Sequence, residues 1–215
     1  MERRELVIAT GNSGKLREFA FLLEGLPARL LSLRDFPGLT LPPEEGHTYA
    51  ENALIKARAV ARATGRLTLA DDSGLEVEAL GGQPGVRSAR FAGDKATDAE
   101  NNRKLLRLLE GIPWERRRAR FRCLLAVVNP AGDRGSAGEA GFEEILVEGT
   151  CEGFIQFAPR GENGFGYDPL FYVPEYDRTL AELPEEIKNR VSHRGRAVAK
   201  AIPILEALLA GSRHF

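Results

Sequence analysis

Cysteine is nearly absent. Only Cys123 and Cys151 occur in 215 residues, with no CxxC pair and no Cys/His ladder. That excludes a disulfide framework and a structural zinc site, and it points to a reducing compartment. We therefore expect a cytoplasmic protein with both cysteines buried in its core. Long apolar runs are missing too. The longest clean stretch, Cys123 to Val128, is far too short to span a bilayer. Residues 1–20 lack the charged-then-apolar pattern and cleavage site of a signal peptide. Neither charge sign is in excess: 30 Lys+Arg against 31 Asp+Glu give a net charge of -1. A globally basic coat for nucleic acid is thereby excluded, and neither a membrane nor a nucleic-acid partner is expected. Lysine (6, against 24 arginines), glutamine (2) and methionine (1) are scarce. Heat adaptation and GC-rich coding both leave that signature.

What is present is enough for a folded protein. Hydrophobic residues make up 43% and charged residues 28%, and the length buries a core without disulfide or metal staples. There is no internal repeat, linker or low-complexity segment. Residues 5–10, ELVIAT, read as a buried strand, followed by a helix capped by Ser13 and running to about Leu23. Arg29 to Leu33 reads as a strand and Asp35 to His47 as a Pro/Gly-rich loop. Thr48 and Glu51 form a capping box for a helix to about Thr64. A strand from Leu67 stops at Ala70, and Thr97 caps a helix to about Glu110. Arg118 to Val128 is a long strand, residues 131–141 a Gly-rich turn, and 142–150 and 151–157 two further strands. Short and long helices follow over 183–191 and 195–209. The alternation predicts a mixed α/β sheet flanked by helices, one domain over 1–215, with a second lobe built largely from 118–157.

Several segments have the makings of a site. Thr10-Gly11-Asn12-Ser13-Gly14-Lys15 joins a strand to a helix, where backbone N–H groups and a lysine suit a phosphate. It is not a P-loop, because Ala9 and Leu16 stand where that motif needs Gly and Ser/Thr. An ordinary strand-to-helix turn is the competing reading. Asp71-Asp72-Ser73-Gly74 reads as a turn, or as a strand end that aims one carboxylate into a cleft. Such a carboxylate holds Mg2+ or acts as a general base. Glu44 and Glu45 precede Gly46 in an acidic loop, and Lys56 lies on the following helix. Phe165, Gly166, Tyr167 and Asp168 sit in a Gly-rich loop whose rings suit stacking on a flat base. Lys188, Ser192, His193 and Arg194 offer donors for a ligand carbonyl. Arg116 to Arg122 resembles a nucleic-acid stripe, but strand alternation puts residues 118, 120 and 122 on one solvated face and Ala119, Phe121 and Cys123 on the other.

The ordered set is more specific than its parts. ATGNSGKLREF, HTYAENALIKA, LADDSGLEVEALGGQPGVRSARFAG, GFGYDPLF and SHRGRA together resemble the inosine/xanthosine triphosphate pyrophosphatase family, from about Val7 to Leu205. The resemblance implies an elongated two-lobed α/β molecule with the active site in the cleft between lobes, usually a homodimer. It implies Mg2+-dependent hydrolysis of ITP, dITP or XTP to the monophosphate and pyrophosphate. Carried over by motif, Thr10 to Lys15 grip the triphosphate and Lys56 orients it. Asp72 is the catalytic carboxylate, Ser73 touches substrate, Phe165 to Asp168 form the base pocket, and Lys188, His193 and Arg194 read the base. One departure concerns the second metal ligand. The family's glutamate three residues before the loop glycine falls on Pro43, so Glu44 or Glu45 stands in, with Asp71 a competitor. A non-catalytic nucleotide-binding regulator and an RNA-binding module using Arg116 to Arg122 are the rivals from other classes.

Overall fold

The computed structural model of the protein describes residues 4–134 and 140–211. Among the described residues seven strands form one mixed sheet in the order β2-β1-β3-β4-β5-β6-β7. They are β1 (Arg4–Ile8), β2 (Ala28–Ser32), β3 (Leu67–Val77), β4 (Arg118–Arg134), β5 (Ala140–Ile155), β6 (Phe171–Val173) and β7 (Arg178–Thr179). β1 is parallel to both β2 and β3, with Leu6 opposite Leu30 and Leu67. β6 is antiparallel to β5 and β7. The helices are α1 (Ser13–Leu22), α2 (Tyr49–Thr64), α3 (Asp98–Leu108), α4 (Glu185–Val191) and α5 (His193–Ala210). The expected α/β class with flanking helices is what the chain adopts. Among the described residues no helix is long and apolar enough to cross a membrane.

The helix starts follow local chemistry. Thr48 accepts from the Glu51 amide while Glu51 bonds back, and Gly65 ends α2 in the left-handed conformation (φ 64°). Thr97 and Glu100 repeat the box at α3. At α1 the cap is Asn12, not Ser13: its Oδ1 accepts from the amides of Gly14 and Lys15. An asparagine one residue earlier reaches both first-turn donors, so it takes the role.

Three strands depart from expectation. β3 does not stop at Ala70 but continues through Asp71-Asp72-Ser73-Gly74 to Val77. Turn-forming composition is overridden here by incorporation in the sheet, where β3 lies next to β4 in the strand order. β4 extends to Arg134, and β5 is a single strand where two were expected. Gly153 lies inside β5 because a Cβ there would meet the Tyr172 carbonyl at 2.3 Å and the Phe171 ring at 2.7 Å. Of the expected 131–141 turn, residues 131–134, 140 and 141 belong to β4 and β5, and 135–139 lie outside the described residues.

The described residues form two compact units: residues 4–72, 124–134, 140–148 and 197–211, and residues 73–123 and 149–196. β4 and β5 each contribute to both units. The first unit's core gathers Val7, Leu31, Val60, Ala70 and Val128 under the alanines of α2. The second gathers Leu75, Leu105, Phe121, Ile155, Phe171 and Leu180. Cys123 and Cys151 are both buried and outside any disulfide, and burial pushes the Cys151 thiol up to about 11. Both are inert core residues, as expected.

Candidate active site

In the first unit the continuation of β3 gives its two aspartates different partners. Asp71 pairs with Lys15 of α1 at 2.9 Å, and its side chain is fully buried. Asp72 meets α2: its Oδ2 accepts from Asn52 Nδ2 at 3.0 Å, and its Oδ1 lies 3.8 Å from Lys56 Nζ. Lys56 in turn donates to Glu44 at 2.5 Å. Lys56 and Asp72 are both about 5% exposed. Glu44 is half-buried while Glu45 is exposed, so of the two loop glutamates Glu44 joins the cluster.

These groups shift one another. Burial raises the Asp72 carboxyl to about 6, and the Glu44 charge adds to the rise, against the lowering influence of Lys56, Lys15 and the Asn52 bond. Burial pulls the Lys56 ammonium down, but the carboxylates of Asp71, Asp72 and Glu44 outweigh it and the net shift is upward. Lys56 therefore stays a cation, and Asp72 becomes a carboxylate whose basicity suits proton transfer near neutrality.

Asn52 was not legible as a site residue. Its amide bonds Asp72 on one side, and its Oδ1 accepts from the Gly46 amide at 2.8 Å on the other. It thereby ties the acidic loop to the Asp72 carboxylate. The signal lay in the sequence: a poor helix former on the buried, alanine-rich face of α2. Gly46 allows this approach, since a Cβ there would fall 2.7 Å from both Asn52 Oδ1 and Glu51 Cβ. Gly46→Ala is expected to displace Asn52 and cut turnover by roughly tenfold or more. An unchanged rate would remove Asn52 from the alignment of Asp72.

The Thr10–Lys15 turn is preorganised. Thr10 Oγ1 accepts from the Asn12 amide at 3.2 Å, Asn12 caps α1, and residues 11–13 are exposed.

In the second unit a separate group assembles around Phe165. Asp168 Oδ2 accepts from the Phe165 amide at 3.0 Å and pairs with Lys188 at 2.7 Å, both side chains buried. Lys188 Nζ lies 5.1 Å from the Phe165 ring centroid, and the Arg194 guanidinium 5.7 Å from it. Arg194, 2% exposed, donates to Ser73 Oγ at 3.0 Å. His193 stacks on Phe121 at 4.6 Å and 11°. The geometry thus brings together Ser73, Phe165, Asp168, Lys188 and Arg194. Tyr167 behaves differently from its neighbour: it is 4% exposed, packs in the core, and its hydroxyl donates to the Ser88 carbonyl at 2.8 Å. It offers no ring for stacking, because its hydroxyl can satisfy a buried carbonyl and Phe165 cannot.

The arginine stripe resolves as a solvated strand face. Ala119, Phe121 and Cys123 are buried, and Arg120 and Arg122 both pair with Glu76. Arg117, by contrast, is buried and donates to the carbonyls of Leu109, Ile112, Ile155 and Gln156. That role stapling four backbone oxygens was not visible in a run of arginines.

The chain that carries these two groups is similar to known proteins over most of its length. The Ham1 family model matches residues 6–204. A dITP/XTP pyrophosphatase of Desulforamulus reducens is 53% identical over 95% of this chain and 96% of its own length. One from Geobacter sulfurreducens is 54% identical over 90% and 92%. Among solved structures, a HAM1 protein from Coxiella burnetii aligns with a TM-score of 0.80 at 42% identity, covering 94% of this chain and 98% of that one. A nucleoside-triphosphatase/dITP/XTP pyrophosphatase from Mycobacterium abscessus gives 0.70 at 44% identity over 94% and 99%. The chain belongs to the Ham1 family.

Proposed function

We propose that this protein hydrolyses non-canonical purine nucleoside triphosphates (ITP, dITP and XTP) to the monophosphate and pyrophosphate, clearing them from the nucleotide pool. The observation that carries the reading is the buried Asp72 carboxylate, raised to about 6 and held between the Lys56 ammonium and the Asn52 amide. In the reaction a water oxygen bonds to the α-phosphorus while the bond to the β-phosphate bridging oxygen breaks. Asp72 takes the water proton, and pyrophosphate leaves with the bond electrons. Lys15 and the Thr10–Gly14 turn receive the phosphates, and Lys56 offsets charge as it develops.

Mg2+ fits this donor set. Glu44 and Asp72 converge on one point, since both lie within 4 Å of the same Lys56 nitrogen. Two carboxylates completed by substrate phosphates are a normal arrangement for that ion. When bound, it would neutralise phosphate charge and favour the leaving group.

The base would meet the Phe165 group. A 6-oxo purine accepts hydrogen bonds from Lys188, His193 and Arg194, whereas adenine's 6-amino group leaves such donors unpaired at about 1–3 kcal/mol each. His193→Ala is expected to narrow the gap between ITP and ATP by weakening ITP use. An unaltered ratio would remove His193 from base reading. We further propose that the enzyme works as a homodimer in the cytoplasm.

The test is pyrophosphate release with Mg2+ from ITP, XTP, GTP and ATP at equal concentration. Strong release from ITP and XTP alone supports both reaction and selectivity. No release from a folded protein overturns the reading.

A further inference from the structure

We propose that Asp98 and Asn102 are positioning residues that set the base-recognition loop through the backbone of Gly166; the inference rests on the reading above. Neither residue belongs to the set that the motifs singled out. They lie four apart on α3 and so share a face. Asp98 Oδ2 accepts from the Gly166 N–H at 2.7 Å, and Asn102 Nδ2 donates to the Gly166 carbonyl at 2.8 Å. One helix face therefore holds both polar groups of a single residue.

That residue is the pivot of the loop. Gly166 has φ 63°, the left-handed conformation in which glycine is favoured. Phe165 precedes it and Tyr167 follows. Beyond the pivot, the Tyr167 hydroxyl is fixed to Ser88. Before it, the Phe165 amide is fixed to Asp168 and the ring faces Lys188 and Arg194. The clamp at Gly166 thus fixes the backbone from which the Phe165 ring projects. The platform is itself anchored: Asn101 Oδ1 accepts from the Ala92 amide, its Nδ2 donates to the Ala89 carbonyl, and Leu105 is fully buried.

The choice of residues argues for function over packing. Asn102 is nearly buried, and its Oδ1 has no hydrogen-bond partner among the described residues. A leucine there would bury more apolar surface without an unsatisfied acceptor. Asparagine earns its place through the bond to Gly166, and Asp98 supplies the complementary acceptor.

Base recognition and phosphate binding separate in the test. Steady-state kinetics with ITP and Mg2+ give KM and kcat, and inorganic triphosphate, which has no base, gives an inhibition constant. Asn102→Asp keeps shape and removes the donor; Asp98→Ala removes the acceptor; Asp98→Asn retains one. We expect Asn102→Asp and Asp98→Ala each to raise the ITP KM about tenfold, with kcat and the triphosphate inhibition constant nearly unchanged. Asp98→Asn stays near wild type, and the double variant falls short of the product of the singles, because both act on one peptide unit. An unchanged KM in Asp98→Ala, or a triphosphate constant that worsens alongside KM, overturns the proposal. Failure of the underlying reading shows separately, as a wild-type protein that releases no pyrophosphate from ITP.

Discussion

Asp72→Asn is expected to lower pyrophosphate release by roughly 10²–10⁴-fold and, in the same protein, to raise thermal stability above pH 6. The first effect follows from removing the proposed proton acceptor while keeping the side chain's shape and its bond to Asn52. Nucleotide binding is expected to persist, since the proposed contacts of Lys15, Lys56 and the Phe165 group remain. The second effect follows from linkage. The Asp72 carboxyl moves from 3.8 to about 6 on folding, with burial the largest cause. The folded state therefore holds the proton more tightly than the unfolded state. Stability falls as pH rises through the window from about 4 to about 6, and above it the wild type carries a penalty on the order of 3 kcal/mol. Asparagine carries none. In EDTA, the variant should melt about 5–10 °C above wild type at pH 8 and converge with it near pH 4. Mg2+ should then raise the melting temperature of the wild type far more than that of the variant. A variant less stable than wild type at pH 8 would mean that attraction to Lys56 outweighs desolvation of Asp72.

The same residue shows where sequence reading stops. Local chemistry announced the helices: the Thr48/Glu51 and Thr97/Glu100 boxes start α2 and α3 where expected. Period-two alternation correctly sorted residues 118–123 into buried and solvated faces. The Asp71–Gly74 run was harder, because its composition favours a turn. Pairing within the sheet carries it straight as β3, and that straightness sends Asp71 to Lys15 and Asp72 to Lys56. Long-range placement of this kind leaves no trace in a local window. The candidate residues were legible as a set because their motifs resemble a family. Asn52, Asp98 and Asn102 were not, because each acts on the backbone or side chain of another segment. A residue whose partner is 20 or 64 positions away, as for Asn52 with Asp72 and Asn102 with Gly166, is found only once the chain is folded. Tyr167 shows the converse. It was read with Phe165 as a stacking pair, and only the fold reveals that its hydroxyl is committed to Ser88.

Lys188→Met is expected to destabilise the protein by about 3–5 kcal/mol, because it removes the cation 2.7 Å from the buried Asp168 carboxylate. The two side chains are 7% and 6% exposed and 2.7 Å apart, so water cannot readily replace the lost partner. Asp168→Asn alone is expected to be destabilising for the mirror reason, the loss of a carboxylate 2.7 Å from the buried Lys188 ammonium. The double variant Asp168→Asn/Lys188→Met removes both charges. The side-chain amide that replaces the Asp168 carboxylate would still present an oxygen to the Phe165 N–H, so most of the lost stability should return, and the coupling in the cycle should be large. Activity separates the two roles of Lys188. As the proposed donor to a 6-oxo purine it would act on the substrate directly, so the double variant should recover its melting temperature but not its preference for ITP over ATP. Recovery of both would show that Lys188 serves only to hold Asp168, and base reading would then fall to Arg194 and His193.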